Sequence, residues 1–75
     1  MGVRMSEEWG MTKLQKIHDN EHKTLSTEAF VAMMIEVTIN ETRALDNLRN
    51  LKALGKIVIH NEKVMLKWYY DLFYS

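Results

Sequence analysis

The chain has 75 residues, with ten basic and ten acidic side chains, and neither cysteine nor proline. A chain this short is expected to fold as a single domain, residues 1–75, with a thin core of the kind that oligomerisation often supplements. The lack of cysteine excludes disulfides and thiolate metal sites. The apolar runs are too short to span a bilayer and no signal-peptide pattern is present, so we expect a cytoplasmic protein without a membrane partner.

Charge is distributed unevenly along the chain. Residues 1–40 carry four basic and six acidic side chains, whereas residues 41–75 carry six basic and four acidic ones. A neutral net charge is weak support for nucleic-acid binding. The basic excess of the second half is either a small electrostatic signal or ordinary scatter.

The first helix is predicted over residues 6 to about 20. Ser6 can cap it, and the acids that follow favour the positive end of the helix dipole. Trp9 lies off the apolar face, which indicates either contact with another element or subunit or an irregular first turn with Trp9 folded inward. Gly2 and Ser6 also fit the loose pattern for N-myristoylation, a single acyl chain that anchors only marginally.

A histidine pair follows near the end of this helix. His18 and His22 have the H-x-x-E-H spacing of inverted zincin proteases, and one helical face would carry both. A catalytic zinc also needs a third protein ligand and a cleft, and the chain offers only His60 as a further histidine. We therefore interpret the pair as a solvated polar helix end and predict no metal site.

The second helix is predicted from Ser26 or Thr27, either of which can cap it, to about residue 37. Its apolar stripe is broad and implies burial against more than one neighbour; it comprises Phe30, Val31, Met33, Met34, Ile35 and Val37. The adjacent methionines are interpreted as core filler, because methionine adapts to irregular gaps.

Residues 38–68 predict a third helix, a glycine stop and a β-hairpin. Asn40 is the expected N-cap, and Gly55 the residue that ends the helix in a left-handed conformation. One face of this helix is apolar, formed by Ala44, Leu45, Leu48 and Leu51. The opposite face is polar and is predicted to point outward; it comprises Thr42, Arg43, Asp46, Asn47, Arg49 and Asn50.

The hairpin is predicted from residues 57–60 and 63–68, joined by a turn at Asn61 and Glu62. In this register Ile59 opposes Val64 and Ile57 opposes Leu66, and with Trp68 they form the inner face. The outer face would carry Val58, His60, Lys63, Met65 and Lys67. Asn-Glu is a poorer two-residue turn than Asn-Gly, which leaves a longer loop open.

The last residues form an aromatic tail, residues 69–75, which holds four of the seven aromatic side chains. Terminal residues fray unless they are tied down, so this tail should pack against the first helix or a second subunit. Aromatic surfaces are typical of interfaces. We predict a homodimer interface formed by Trp9, Tyr69, Tyr70, Leu72, Phe73 and Tyr74.

This order of elements resembles the winged helix-turn-helix domain of bacterial and archaeal transcription regulators, including the multiple-antibiotic-resistance and arsenic-repressor types. The resemblance covers about residues 7–68. It is carried by Leu25-Ser26-Thr27, Ile39-Asn40, the spacing of Ala44, Leu48 and Leu51, and the step Leu54-Gly55-Lys56-Ile57. It implies an α+β fold that is mostly helical, with three helices and a two- or three-stranded wing.

The resemblance also implies that the third helix enters the major groove of DNA and that the wing contacts the backbone. Chemically, Arg43 can bind guanine, and Asn47 or Asn50 can pair with adenine. Phosphates would be bound by Thr42, Arg49, Lys52, Lys56, His60 and Lys63. Glu41 and Asp46 oppose this function, because each repels phosphate unless it pairs with Arg43 or Arg49 or, for Asp46, accepts a hydrogen bond from cytosine.

The predicted function is a small homodimeric transcription regulator that binds a pseudo-palindromic site in double-stranded DNA. The alternative is a winged-helix protein–protein interaction module without DNA binding, since fold alone does not determine function. The sequence contains no nucleophile–base pair, phosphate-binding loop or convincing metal set, so an enzyme is not predicted. No cofactor or small-molecule ligand is expected either.

Overall fold

The computed structural model describes residues 3–74, so Met1, Gly2 of the myristoylation pattern and Ser75 of the tail lie outside the described residues. Within them the chain forms four helices and one three-stranded antiparallel sheet of strand order β1-β3-β2. The elements are α1 (Met5–Glu21), β1 (Leu25–Ser26), α2 (Thr27–Thr38), α3 (Glu41–Ala53), β2 (Ile57–His60), β3 (Lys63–Leu66) and α4 (Lys67–Phe73). The α+β, mostly helical class is therefore confirmed.

Helix α1 begins earlier than predicted, because Arg4 rather than Ser6 is the residue that precedes its first turn. The backbone N–H of Arg4 donates to Oε1 of Glu7 at 2.8 Å, so a carboxyl group three residues later satisfies the start of the helix. Ser6 lies inside the first turn. The helix ends at His22, which adopts a left-handed conformation with φ 53°.

The caps of α2 and α3 are confirmed. The hydroxyl of Ser26 accepts from the N–H of Ala29, and the side-chain oxygen of Asn40 accepts from the N–H of Arg43, both at 3.1 Å. Gly55, with φ 73°, follows the end of α3 as expected. The turn between α2 and α3 is strained, because Ile39 is β-branched and has φ 58°, a region such residues rarely adopt.

The core lies between α1, α2, α3 and the sheet. Its buried members are Leu14, Phe30, Met34, Ala44, Leu48, Leu51, Ile57, Val64 and Leu66. Helices α1 and α2 approach closely at Gly10, where a Cβ atom would lie 2.7 Å from Sδ of the buried Met34. Leu45, predicted on the buried face of α3, is only partly buried.

The hairpin has the predicted register, with Ile57 opposite Leu66 and Ile59 opposite Val64. Its turn is two residues long, because Asn61 and Glu62 both adopt positive φ, 51° and 63°. The longer loop is thus not needed. Strand β1 adds a third strand by pairing with β3.

Helix α4, Lys67–Phe73, includes most of the C-terminal tail, and this corrects two expectations about the hairpin. Trp68 does not belong to its inner face, because β3 ends at Leu66 and α4 begins at the next residue. The outer face of the hairpin is not open either. Met65 is fully buried, and the ring of His60 lies 5.6 Å from that of Tyr70 and 4.9 Å from that of Tyr74.

Candidate nucleic-acid interface

Most residues predicted to bind DNA are on the surface, but three are not freely exposed. Thr42, Arg43, Arg49, Lys52, Lys56 and Lys63 are exposed; Asn50 and His60 are half-buried; Asn47 is buried. The predicted interface is therefore narrower. It keeps a strip of exposed residues on α3, one lysine after this helix and one lysine at the hairpin.

The outermost stripe of α3 is formed by residues at helical spacing, Thr42, Asp46, Arg49 and Ala53, all of them exposed. Nη1 of Arg49 lies 3.6 Å from Oδ1 of Asp46, so the acid that opposed phosphate binding has a partner on the same helix. Such a solvent-exposed pair contributes little to stability and can open toward a stronger anion. Beside the stripe, the guanidinium of Arg43 makes no hydrogen bond or ion pair within residues 3–74.

The prediction that Asn47 faces outward is wrong. Its side chain is 2% exposed, its Nδ2 donates to Oγ of Ser6 at 2.9 Å, and its Oδ1 accepts from Nη1 of Arg4 at 3.3 Å. The sequence contains the signal for this position. Asn47 follows Ala44 by three residues and precedes Leu51 by four, so it shares their buried face.

Asn50 is turned toward the same helix α1. Its Nδ2 donates to both carboxyl oxygens of Glu7 at 3.0 Å, and the Glu7 side chain is fully buried. We call the five residues Arg4, Ser6, Glu7, Asn47 and Asn50 the polar seam. No buried side-chain nitrogen or oxygen in the described part of the chain lacks a hydrogen-bond partner, so the seam is fully satisfied.

A cleft of about 500 Å³ opens beside the seam, between the start of α1, the end of α2 and α3. Its lining residues are Arg4, Ser6, Val37, Thr38, Arg43, Asp46 and Asn47. The seam thus places the exposed Arg4 beside the cationic edge of α3. No sequence pattern points to Arg4, because it lies 43 positions from Asn47 and so carries no periodic signal.

At the hairpin tip, only Lys63 matches its prediction of a freely exposed cation. The imidazole of His60 packs against the rings of α4, and its Nε2 lies 3.3 Å from Nδ2 of Asn61. His60 is therefore directed toward α4 as much as toward solvent. The exposed acid Glu62 sits beside Lys63 and reduces the positive charge of the tip.

The residues of the predicted dimer interface divide into two groups. Tyr69 is 7% exposed, stacks on His18 with ring centroids 4.2 Å apart, and donates its hydroxyl to the backbone oxygen of His22. It belongs to the interior of one chain, so its assignment to an interface is wrong. Trp9 and Tyr70 are half-buried. Leu72, Phe73 and Tyr74 remain exposed.

Trp9 and the start of α4 line one open groove of about 720 Å³ on the surface of α1. Its apolar members are Met5, Trp9, Met11, Leu66 and Trp68. The indole N–H of Trp68 donates to Oε1 of Gln15 at 2.9 Å, which orients the ring along α1. Through Trp68 this apolar groove borders the start of α4.

His18 is a structural residue, and its interpretation as part of a solvated helix end is wrong. The side chain is 1% exposed; its Nδ1 lies 2.7 Å from the backbone oxygen of Lys23, and its Nε2 accepts from the N–H of Leu66 at 3.1 Å. Because the Leu66 amide can only donate, the imidazole is neutral with its proton on Nδ1. Burial lowers the pKa of His18, against the opposing effects of the Lys23 carbonyl and Asp19.

Within residues 3–74, no three histidine or acidic side chains come together in a way that could hold a metal ion. Across the same span, every helix is too short or too polar to cross a membrane. Comparisons with protein-family models, with curated proteins and with solved structures found no significant match.

Proposed function

We propose that this protein is a small winged-helix DNA-binding regulator that acts as a homodimer. The observation that carries the proposal is the outward face of α3, which follows a tight turn from α2 and is left uncovered by the other described elements. The strand order β1-β3-β2 and the hairpin that follows α3 are compatible with a winged helix. In that architecture such a helix enters the major groove.

The charge of this region supports the proposal. Residues 41–63 carry five basic and three acidic side chains, a balance of +2 in a chain whose formal net charge is zero. One of the acids, Asp46, is paired with Arg49. Local positive charge draws the phosphate backbone and makes binding dependent on salt.

The structure changes which residues we expect to contact DNA. Asn47 and Asn50 are held by α1, so direct adenine reading by these amides is withdrawn. Arg43 and Arg49 remain as donors that can reach base edges, and both favour guanine. The expected phosphate ligands are Thr42, Lys52, Lys56 and Lys63.

The exposed side of α4 supports the dimer. Leu72, Phe73 and Trp68 are 68%, 56% and 41% exposed, and Trp68 also lines the apolar groove beside Trp9. A chain with so thin a core gains from burying this surface against a second copy. The two α3 helices of such a dimer would contact half-sites about one DNA turn, ~34 Å, apart.

The test measures the affinity for random duplex DNA by fluorescence anisotropy at a series of salt concentrations. We expect affinity to fall steeply as salt rises, because bound cationic side chains release counterions. Arg43→Ala should weaken binding to a selected site by about 1–3 kcal/mol if the guanidinium contacts a base. Lys16→Ala, which removes an exposed cation of α1 outside the proposed contacts, is the matched control.

A second candidate is a winged-helix protein–protein interaction module. The neutral net charge and the exposed apolar side chains of α4 favour it. Absence of DNA binding at low salt would contradict the first proposal and favour this module.

A further inference from the structure

Arg4 is an exposed cation that belongs to neither the predicted DNA-binding residues nor the predicted dimer interface. The fold places it beside α3. It lines the same cleft as Arg43, together with Val37 and Thr38 at the end of α2. The cleft shares Arg43 and Asp46 with the exposed face of α3 that the proposed function directs at DNA. Two guanidinium groups around one opening form a chemical environment suited to an anion.

The side chain of Arg4 is held in place by a buried amide rather than by an acid. Nη1 donates to Oδ1 of Asn47 at 3.3 Å, and Asn47 is fixed in turn by its bond to Ser6. Asn47 is neutral, so this contact positions the guanidinium without neutralising its charge. The remaining N–H groups of the guanidinium are available to a phosphate, which arginine binds through two parallel hydrogen bonds.

The acids near Arg4 are already engaged by other groups. The carboxyl oxygens of Glu7 accept from the backbone N–H of Arg4 and from the side chain of Asn50. Asp46, which also lines the cleft, is paired with Arg49 on the outer stripe of α3. No ion pair joins Arg4 or Arg43 to an acid within residues 3–74, so both guanidinium groups keep their charge at the rim of the cleft.

We propose that Arg4 binds a backbone phosphate of DNA at the edge of the groove occupied by α3, with Asn47 as its positioning residue. The inference rests on the proposed function, because the phosphate is that of the duplex. It assigns Arg4, the residue directly before α1, to the DNA-binding surface. Asn47 then contributes to binding indirectly, by orienting Arg4. The sequence had predicted that Asn47 itself pairs with a base.

The test compares the salt dependence of duplex binding for the wild type, Arg4→Gln, Arg4→Lys and the control Lys16→Gln. Loss of one phosphate contact lowers the slope of log affinity against log salt by about one, and it should do so equally for selected and random sequences. We expect Arg4→Gln to show this reduction with an affinity loss of about tenfold at low salt. Arg4→Lys should retain most of the slope, and Lys16→Gln all of it.

A second arm separates the duplex from a free anion, using inorganic phosphate at millimolar concentration and thermal unfolding as the readout. One outcome would overturn the assignment to DNA. In it, phosphate stabilises the wild type but not Arg4→Gln, while the slope of log DNA affinity against log salt is the same for both proteins. An unchanged slope without phosphate binding would overturn the site altogether, while the proposed function would stand. Failure of the wild type to bind DNA at all would instead remove the proposed function. Circular dichroism of each variant checks that the fold is retained.

Discussion

The two ends of helix α1 attach to different parts of the protein by different chemistry. At its start, the polar seam joins α1 to α3 through amide, hydroxyl and carboxyl groups, beside the proposed DNA-binding face. At its end, the neutral ring of His18 joins α1 to β3 and packs on Trp68 and Tyr69 of α4, beside the proposed dimer face. One helix thus connects two candidate surfaces, and a polar side chain, not an apolar one, sets its position at each end.

The difference lies in how each end responds to its surroundings. The seam reaches the surface through Arg4, so it is expected to respond to anions and salt. The other end of α1, where His18 packs on Trp68 and Tyr69, is called the aromatic end. Its buried imidazole must stay neutral, so we expect its contribution to stability to depend on pH. Substitutions at each end can show whether the two behave as separate units.

The largest effect is expected from His18→Ala at the aromatic end. It leaves the buried N–H of Leu66 without an acceptor and removes the ring on which Tyr69 stacks. We expect a loss of about 3 kcal/mol in the free energy of unfolding. Urea denaturation measures it. His22→Ala, at an exposed histidine of the same segment, should cost less than about 0.5 kcal/mol. Equal losses for the two variants would contradict the role of His18.

The matching experiment at the polar seam is Glu7→Ala. It leaves the N–H of Arg4 and the buried side of Asn50 without their shared acceptor. We expect a loss of about 2 kcal/mol, because orphaned buried donors cost about 1–3 kcal/mol. The exposed neighbour Glu8→Ala is the control and should change little. If both ends of α1 are separate units, the losses of Glu7→Ala and His18→Ala should add.

The third prediction concerns pH and distinguishes the aromatic end from the seam. Burial lowers the pKa of His18 in the folded state, so below about pH 6.5 the unfolded chain binds a proton that the folded chain does not. The free energy of unfolding should therefore decrease as the pH falls below this value, by at most about 1.4 kcal/mol per pH unit. His18→Gln, which cannot titrate, should remove this dependence, whereas His22→Gln and His60→Gln should keep it. The measurement is denaturant unfolding between about pH 7.5 and 5.5.

The smallest effect on the stability of a single chain is expected from Phe73→Glu on the exposed side of α4. Phe73 is 56% exposed, so the monomer loses little. In the proposed dimer the same change buries a charge, and sedimentation should show dissociation at concentrations where the wild type is paired. Glu28→Gln, at an exposed position of α2, should leave the oligomeric state unchanged. A monomeric wild type would refute the dimer.

The sequence predicted the parts of this fold that depend on neighbours along the chain. The caps at Ser26 and Asn40, the stop at Gly55 and the register of Ile59 opposite Val64 follow from spacing and local backbone chemistry. The α+β class follows from the order of those elements. These features need no knowledge of distant contacts.

The candidate site was predicted less well, because burial of a polar side chain depends on what lies across from it. Asn47 was placed outward by its polarity, although its helical spacing placed it with Ala44 and Leu51. His18 is interpreted from the sequence as solvated because it lies near the expected end of the first helix. Its partners, the carbonyl oxygen of Lys23 and the N–H of Leu66, leave no periodic signal in the sequence. Arg4 lay before the first predicted element and carried no pattern at all.

The chain passes from β3 into α4 without an intervening residue, and the N–H of Lys67 at this junction donates to the backbone oxygen of Lys56 before β2. The hairpin and α4 share this junction directly, so we expect the two elements to move together. In a dimer formed through α4, the angle at which two subunits meet would fix the separation of their hairpin tips. A change in that angle would be transmitted directly to the distance between the two half-sites that the protein can span.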